Sequence, residues 1–147
     1  MAAYGKEMPE LTRGDFENLL AFRTSLRRFL HWSQTRARAA GLTPAQHQLL
    51  VAIKGHPGGQ EPTIGDLAGY LLLRHHSAVE QVDRLVEAGF VVRQEAEDDA
   101  RKVMLELTDS AEELLKRLSA DHLEELRRVG PSLSELFMQF SGRPSGK

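Results

Sequence analysis

The stretch "LLLRHHSAVEQVDRLVEAGF", residues 71–90, has the spacing of one amphipathic helix with a polar outer face. On a helical wheel of about 100° per residue, small and apolar residues lie within about 60° of Val82: Ala78, Val79, Leu85 and Val86. The far side and its flanks carry polar residues, namely His76, Ser77, Glu80, Gln81, Asp83 and Arg84. We expect a helix over residues 75–88 that ends at Gly89, with His75 turned towards the buried side.

Two shorter helices are predicted before this stretch, each marked by a threonine cap. "TIGDLAGYLLL" begins with Thr63, and Asp66 three residues later has capping-box spacing. "LTPAQHQLLVAI" begins with Thr43, followed by Pro44 at the first helical position and by Gln46. The segment "GHPGGQEP" that separates them is typical of a loop.

A long first helix is predicted over residues 12–40. Thr12 and Asp15 have capping-box spacing, and Gly41 supplies the stop. The apolar residues recur with helical period: Phe16, Leu19, Leu20, Leu26, Phe29 and Leu30. This helix therefore has an apolar stripe of its own.

The segment "FVVRQEAEDDARKVMLELT" after the central helix predicts a two-stranded hairpin with an acidic turn. Leu105 and Leu107 alternate with Glu106, so one face of the second strand is expected to pack and the other to be wet. Ser110 and Glu113 then predict the cap of another helix. "GPSLSELFMQF" is interpreted as a break followed by a further helix.

This order of elements predicts a mainly α fold with a small antiparallel β-hairpin, a winged helix-turn-helix with N- and C-terminal dimerisation helices. We expect a single domain over 1–147, with the winged helix at 42–108, the flanking helices at 12–40 and 110–140, and a disordered tail at 141–147. The apolar stripes of the flanking helices need a partner, which favours an intertwined homodimer. Packing of these helices on one another in a monomer is the alternative.

Composition and charge exclude several classes of protein. The 147 residues are 41% hydrophobic and 27% charged, no stretch approaches the roughly 18 apolar residues of a membrane helix, and cysteine is absent. Because the N-terminus also lacks a secretory signal, we expect a cytoplasmic protein without membrane contact. Residues 12–40 hold six Lys and Arg against two Asp and Glu, whereas residues 73–108 hold five against eight. Nucleic-acid binding would therefore depend on a few placed basic side chains.

Metal and catalytic chemistry have weak support in the sequence. His76 and Glu80 lie one helical turn apart and can share an ion, but no third ligand is near. A Gly-rich phosphate loop, a GxSxG elbow and a cysteine nucleophile are all absent, and "EAEDDAR" is typical of a solvated turn. We expect no catalytic residue, metal or cofactor. A metal-dependent enzyme, which would retain stoichiometric metal on purification, is the alternative class.

Four segments together resemble the multiple-antibiotic-resistance regulator (MarR) family of winged helix-turn-helix transcription factors: "GLTPAQHQLLVAI", "TIGDLA", "VDRLVEAGFVVR" and "DDARKVMLELT". The resemblance spans most of the chain, although each segment alone would be weak evidence for the family. It implies that residues 75–88 enter the major groove of DNA and that the wing arginine, Arg101 here, reaches the minor groove. Asp99 would orient Arg101, and Lys102 would be a second basic contact. An exposed ion pair worth at most about 1 kcal/mol is the alternative for Asp99 and Arg101.

The resemblance implies a homodimeric repressor that reads a pseudo-palindromic operator, with the two helices in successive major grooves about 34 Å apart. Arginine can contact guanine, glutamine adenine, and glutamate can accept from cytosine. Thr63 marks a helix start whose backbone amides can meet a phosphate. The expected DNA-contacting set is Thr63, Arg74, His76, Ser77, Gln81, Arg84, Asp99, Arg101 and Lys102.

The chain departs from the family pattern in three places. Ala111 stands where the family usually has a glycine, the acidic wing has only Arg101 and Lys102 near its tip, and the loop "KGHPGGQEP" is longer than the common form. These departures bear on how strongly the wing binds DNA.

The resemblance also implies a small aromatic or anionic effector bound between the dimerisation helices and the DNA-binding lobe. The candidate contacts are His31, Trp32, Arg36 and His47. Core packing of Trp32 and a solvated Arg36 are the alternative. A winged helix can also act as a protein-interaction module with weak or no specific DNA binding, and this is the alternative function.

Overall fold

The structure is a computed structural model that describes residues 7–99 and 102–142. Within these ranges the elements are α1 (Arg13–Ala39), α2 (Pro44–Gly55), α3 (Ile64–Leu71), α4 (His75–Glu87), β1 (Val91–Glu95), β2 (Val103–Leu107) and α5 (Asp109–Ser141). Three short helices followed by an antiparallel hairpin confirm the predicted winged helix-turn-helix.

The chain divides into two compact units. One comprises residues 32–124, and the other comprises residues 7–31 with 125–142. The division falls inside both α1 and α5. The first of these units therefore contains the predicted winged helix over 42–108 together with the adjoining parts of both long helices.

The helix starts are fixed by the threonine caps that the sequence predicts. Thr43 Oγ1 accepts from the Gln46 amide at 3.1 Å, and Gln46 Oε1 accepts from the Thr43 amide at 2.9 Å. Thr63 and Asp66 form the same reciprocal pair at the start of α3. Each box satisfies amides that have no partner within the helix.

The hydrophobic core of the unit 32–124 lies between α2, α3, α4, the hairpin and the adjoining turns of the long helices. Its fully or almost fully buried members include Leu49, Leu50, Leu67, Val82, Leu85, Val91, Leu105, Leu115 and Leu118. Ala78, Val82 and Leu85 are the buried residues of α4, in agreement with the wheel. The prediction for His75 was wrong: it is exposed, because it is the first residue of α4 and lies a full turn before the first buried position.

The hairpin is joined to the helices by a short extended segment. Val91 pairs with Leu107 and Glu95 with Val103 in an antiparallel register. The Leu105 amide donates to the Pro62 carbonyl at 3.0 Å, and Thr63 forms an isolated bridge with Met104. The residues just before α3 thus pair with the edge of β2 that faces away from β1, and they extend the sheet by one bridge.

The C-terminal helix corrects two predictions. α5 is one continuous helix with Pro131 inside it, so the predicted break is wrong. Gly130 does not adopt the left-handed conformation that ends helices, and proline has a helix-compatible φ, so only local hydrogen bonding is lost. The start of α5 is capped by Thr108, whose Oγ1 accepts from the Ala111 amide at 3.4 Å, and not by Ser110.

The predicted tail over 141–147 falls mostly outside the described residues. Ser141 is still helical, which corrects the predicted start of that tail, and residues 143–147 lie outside the described residues. Among the described residues, no helix combines the length and the apolar character needed to cross a membrane.

Candidate nucleic-acid interface

A tight turn connects α3 to α4 and sets the direction of α4. Leu72 adopts a left-handed conformation with φ 55°, and its amide donates to the Ala68 carbonyl. The Leu73 amide donates to the same carbonyl at 2.9 Å. Arg74 is then extended and is the N-cap of α4. The turn therefore takes three residues, and the basic side chain of Arg74 stands at the start of α4.

The outer face of α4 carries the polar residues that the sequence places there. Arg74, His76 and Arg84 are exposed, and Ser77 and Gln81 are half-buried. Arg74 makes no side-chain cap hydrogen bond. Within the described chain, no carboxylate or hydrogen-bond acceptor engages the guanidinium group of Arg74 or Arg84. Both charges are therefore available to a ligand outside the protein.

An ion pair between α4 and the hairpin was not predicted. Arg93 on β1 pairs with the Asp83 carboxylate on α4. The two groups are about 37% and 52% exposed, so the pair is a surface contact of modest energy. Its effect is to join the first strand to α4 and to occupy Arg93. These residues meet only because β1 runs back alongside α4. No local pattern in the sequence indicates that contact.

The wing loop is described on both sides of a gap. The Ala96 amide donates to the Lys102 carbonyl at 3.0 Å, and the Lys102 amide donates to the Asp99 carbonyl at 3.0 Å. The side chain of Lys102 is exposed and Asp99 is half-buried. Arg101 lies outside the described residues, so its contact with Asp99 stays a prediction.

The start of α3 carries a negative charge. Asp66 accepts from the Thr63 amide at 2.9 Å and from the Thr63 hydroxyl at 3.0 Å. The hydrogen bond from the Thr63 backbone is the main cause that lowers the pKa of Asp66. The Thr63 amide is thus engaged, and a phosphate at this helix start would have to use the following amides beside a carboxylate.

Three of the four candidate effector residues lie near one another, around His122, which no sequence motif indicates. The His122 ring lies 4.8 Å from the Trp32 ring and 4.8 Å from the His47 ring, measured between centroids. The Arg36 guanidinium lies 5.6 Å from the Trp32 centroid. His31 is exposed and belongs to the other unit. His122 stands alone in the sequence with no motif around it, which is why it was not found.

Hydrogen bonds orient the His122 ring. Nδ1 lies 2.7 Å from the Leu118 carbonyl oxygen, and Nε2 lies 2.7 Å from the Ser33 hydroxyl. Because a carbonyl only accepts, Nδ1 carries a proton, and Nε2 of the neutral ring accepts from Ser33. Burial, and then the neighbouring His122, lower the pKa of His47. His47 therefore offers a neutral polar group and not a fixed cation.

A cleft of about 380 Å³ adjoins this cluster at Arg36. It is lined by Arg36, Ala39 and Ala40 on α1 and by Leu114, Arg117, Leu118 and Asp121 on α5. The described residues include no group of three or more His, Cys, Asp or Glu side chains that could hold a metal ion, and His76 and Glu80 have no third ligand there.

Comparison with known proteins gives concordant matches. The MarR family model matches residues 40–102. The HTH-type transcriptional regulator PecS of Dickeya dadantii is 29% identical over 82 residues, which are 56% of this chain and 48% of PecS. The matched stretch thus spans about half of the length of that relative.

Two solved structures share both the fold and about a quarter of the sequence. AbsC, a MarR family transcriptional regulator from Streptomyces coelicolor, is 25% identical with a TM-score of 0.66, over 86% of this chain and 84% of AbsC. The transcriptional repressor CouR, bound to a 23-mer DNA duplex, is 26% identical with a TM-score of 0.63, over 90% of this chain and 99% of CouR. The fold defines a winged helix-turn-helix protein. The stretch that matches the MarR family model, residues 40–102, falls on this winged helix and agrees with the sequence resemblance.

Proposed function

We propose that this protein is a homodimeric DNA-binding transcription regulator, a repressor, that reads a pseudo-palindromic operator. In this proposal α4 of each subunit enters a major groove, and the wing reaches the minor groove. The observation that supports this proposal most directly is the outer face of α4. There the guanidinium groups of Arg74 and Arg84 have no partner within the described chain. CouR, 26% identical, is a transcriptional repressor seen on a DNA duplex, which supports the same role here.

The proposed contacts divide by chemistry. His76, Ser77, Gln81 and Arg84 lie along the face of α4 that would meet base edges. Arg74 and Lys102 are the proposed backbone contacts. Arg101 of the wing is proposed to reach the minor groove, with Asp99 as its orienting partner. Thr63 is retained as the marker of the α3 start, where the amides that follow it are the proposed phosphate contact, because the Thr63 amide itself is bonded to Asp66. Residues 73–108 hold more acidic than basic side chains, so the attraction of this region for DNA would depend on these few basic groups.

The proposed dimer would cover an apolar stripe on α1. Phe16, Leu19, Leu20, Leu26 and Leu30 are each at least 43% exposed. On a helical wheel they fall within a sector of about 120°. An exposed apolar stripe of this length is typical of an interaction surface.

The proposed effector is a small aromatic or anionic molecule. Trp32 provides an aromatic wall, Arg36 a cation and His47 a neutral polar group, and the cleft at Arg36 has room for a small ligand. His31 is retained as a candidate from the sequence alone. Binding of the effector would release the protein from its operator.

The test is fluorescence anisotropy with DNA taken from immediately upstream of the gene, beside a scrambled duplex, at about 50 and about 200 mM salt. We expect selective binding of two subunits per duplex. Arg84→Ala should weaken operator binding about tenfold or more and reduce selectivity, since a bidentate base contact is lost. Arg38→Ala, which removes an exposed arginine of α1, is the matched control.

The outcomes separate the proposal from its alternative. Equal and weak binding to both duplexes, followed by no enrichment in a genome-wide fragment selection, would reject the regulator and favour a protein-interaction module. Loss of an interaction on raising the salt supports phosphate contacts, because their counterions are released on binding.

A further inference from the structure

We propose that His56, in the long loop between α2 and α3, is a positioning residue for the DNA-binding surface. It holds the start and the last turn of α3 through one imidazole ring and thereby positions the turn that leads into α4. The inference rests on the proposed function, since it assigns to His56 an effect on DNA binding without contact to DNA.

The sequence around His56 explains how the ring reaches α3. α2 ends at Gly55, and His56 is extended with φ −59° and ψ 126°. Proline at position 57 disfavours a helical conformation of the residue before it, so the helix stops and the chain turns away at His56. The imidazole is only 17% exposed. It is therefore packed against the protein and not a free loop side chain.

The His56 ring contacts α3 at two points. Nδ1 lies 2.8 Å from the Tyr70 hydroxyl oxygen, and Nε2 lies 3.8 Å from Asp66 Oδ2. Asp66 and Tyr70 are four residues apart and share one face of the helix. The Nδ1–Tyr70 contact is within hydrogen-bond distance, whereas the Nε2–Asp66 separation lies in the range of an ion pair and not of a hydrogen bond.

Each contact lies at a critical point of α3. Asp66 closes the capping box with Thr63 at the start of the helix. Tyr70 stands two residues before Leu72, whose φ of 55° is unfavourable for a residue other than glycine. Such a conformation persists where surrounding contacts hold it in place. The His56–Tyr70 hydrogen bond is one of these contacts, and Arg74 and α4 follow the turn directly.

The far end of the same loop is also anchored. Pro62 is fully buried, and its carbonyl accepts from the Leu105 amide of β2. The loop is thus attached to α3 at His56 and to the sheet at Pro62, although Gly58 and Gly59 between them adopt positive φ. Because both ends are held, the position of the imidazole is defined by the fold.

The first experiment measures hydrogen exchange of the Leu72 and Leu73 amides in the free protein. Both amides bond to the Ala68 carbonyl, so their exchange reports on the turn. His56→Ala and Tyr70→Phe should each speed exchange about fivefold, the equivalent of one net hydrogen bond, and the double variant should add no more. Gln60→Ala, an exposed position of the same loop, is the control and should exchange as the wild type does. Unchanged exchange in Tyr70→Phe, which removes one hydroxyl and leaves the fold intact, would overturn the inference.

The second experiment measures operator affinity of the same four variants over a series of salt concentrations. We expect both single variants to bind about fivefold more weakly, the double variant to equal the singles, and the salt slope to equal that of the wild type. Additive effects would overturn the coupling through Tyr70. A slope reduced by about one in His56→Ala would identify His56 as a phosphate contact and also overturn the inference. If the wild type selects no DNA, the regulator proposal fails, while the exchange experiment still decides how the turn is held.

Discussion

Single residues in this protein gain their properties from neighbours that are distant in sequence. His47 on α2 is about 7% exposed, and its ring lies beside that of His122 on α5. Both burial and the second imidazole disfavour a positive charge there, and together they lower the pKa of His47. The residue therefore links the protonation of one side chain to the packing between α2 and α5.

We expect the folded state to lose stability on acidification through His47. A pKa below 6.5 in the folded state means that the unfolded chain takes up the proton first as the pH falls. The contribution of His47 is thus complete above pH 6.5 and is lost as the pH falls below that value. Urea denaturation of the wild type and of His47→Leu at neutral and acidic pH measures the effect.

The variant should lose less stability on acidification than the wild type does. Gln48→Leu, an exposed neighbour on α2, is the matched control because it removes no titratable group. Its pH dependence should equal that of the wild type. An equal loss of stability in His47→Leu and in the wild type would show that another group is responsible.

At the scale of elements, interactions between residues close in sequence determine where most helices start. They determine fewer of the positions where helices end. The capping boxes at Thr43 and Thr63 were predicted because the interacting residues are three apart in sequence. The predicted break at Pro131 was wrong. A glycine followed by a proline suggests a helix end, but the proline removes only one local hydrogen bond, and a long helix can tolerate that loss. The outer face of α4 was predictable because its polar and apolar residues alternate with the period of a helix. The Asp83–Arg93 and His56–Tyr70 contacts were not, since each joins two elements.

The proline inside α5 should reduce the stability of that helix. Pro131 is exposed, so replacing it removes little packing while restoring one backbone donor. We expect Pro131→Ala to raise the free energy of unfolding by up to about 3 kcal/mol, the helix-interior difference between these residues. Chemical denaturation followed by circular dichroism checks this. Ser132→Ala at the next exposed position should change stability by a few tenths of a kcal/mol at most. A Pro131→Ala protein that is less stable would show that the proline conformation is required.

At the scale of the whole molecule, the proposed assembly depends on the unit formed by residues 7–31 and 125–142. Within this unit Phe22 contacts Phe137 and Phe140 edge to face, at 5.7 and 6.1 Å between ring centroids. Phe137, Met138 and Phe140 are nevertheless 44% exposed or more. A cluster that packs internally and still exposes large apolar groups is typical of a surface that a partner covers.

A charge placed in the α1 stripe should therefore dissociate the proposed dimer. We expect Leu20→Glu, at a position 66% exposed in this chain, to shift the protein towards monomer in sedimentation equilibrium and to weaken operator binding at least tenfold. The same glutamate at Ala21, which is exposed about 100° around the helix, is the control and should leave a dimer. Dimers of equal strength in both variants would remove the stripe from the interface.

The missing side-chain cap of α4 has a consequence for the thermodynamics of recognition. α2 and α3 each begin with a reciprocal capping box, whereas the arginine at the N-cap of α4 accepts no amide hydrogen bond with its side chain. The first turn of α4 thus lacks the side-chain acceptor that engages amides at the starts of α2 and α3. In the proposed complex with DNA, a phosphate could accept from these amides without displacing a side-chain cap, so this contact would cost less than the same contact at the start of α2 or α3.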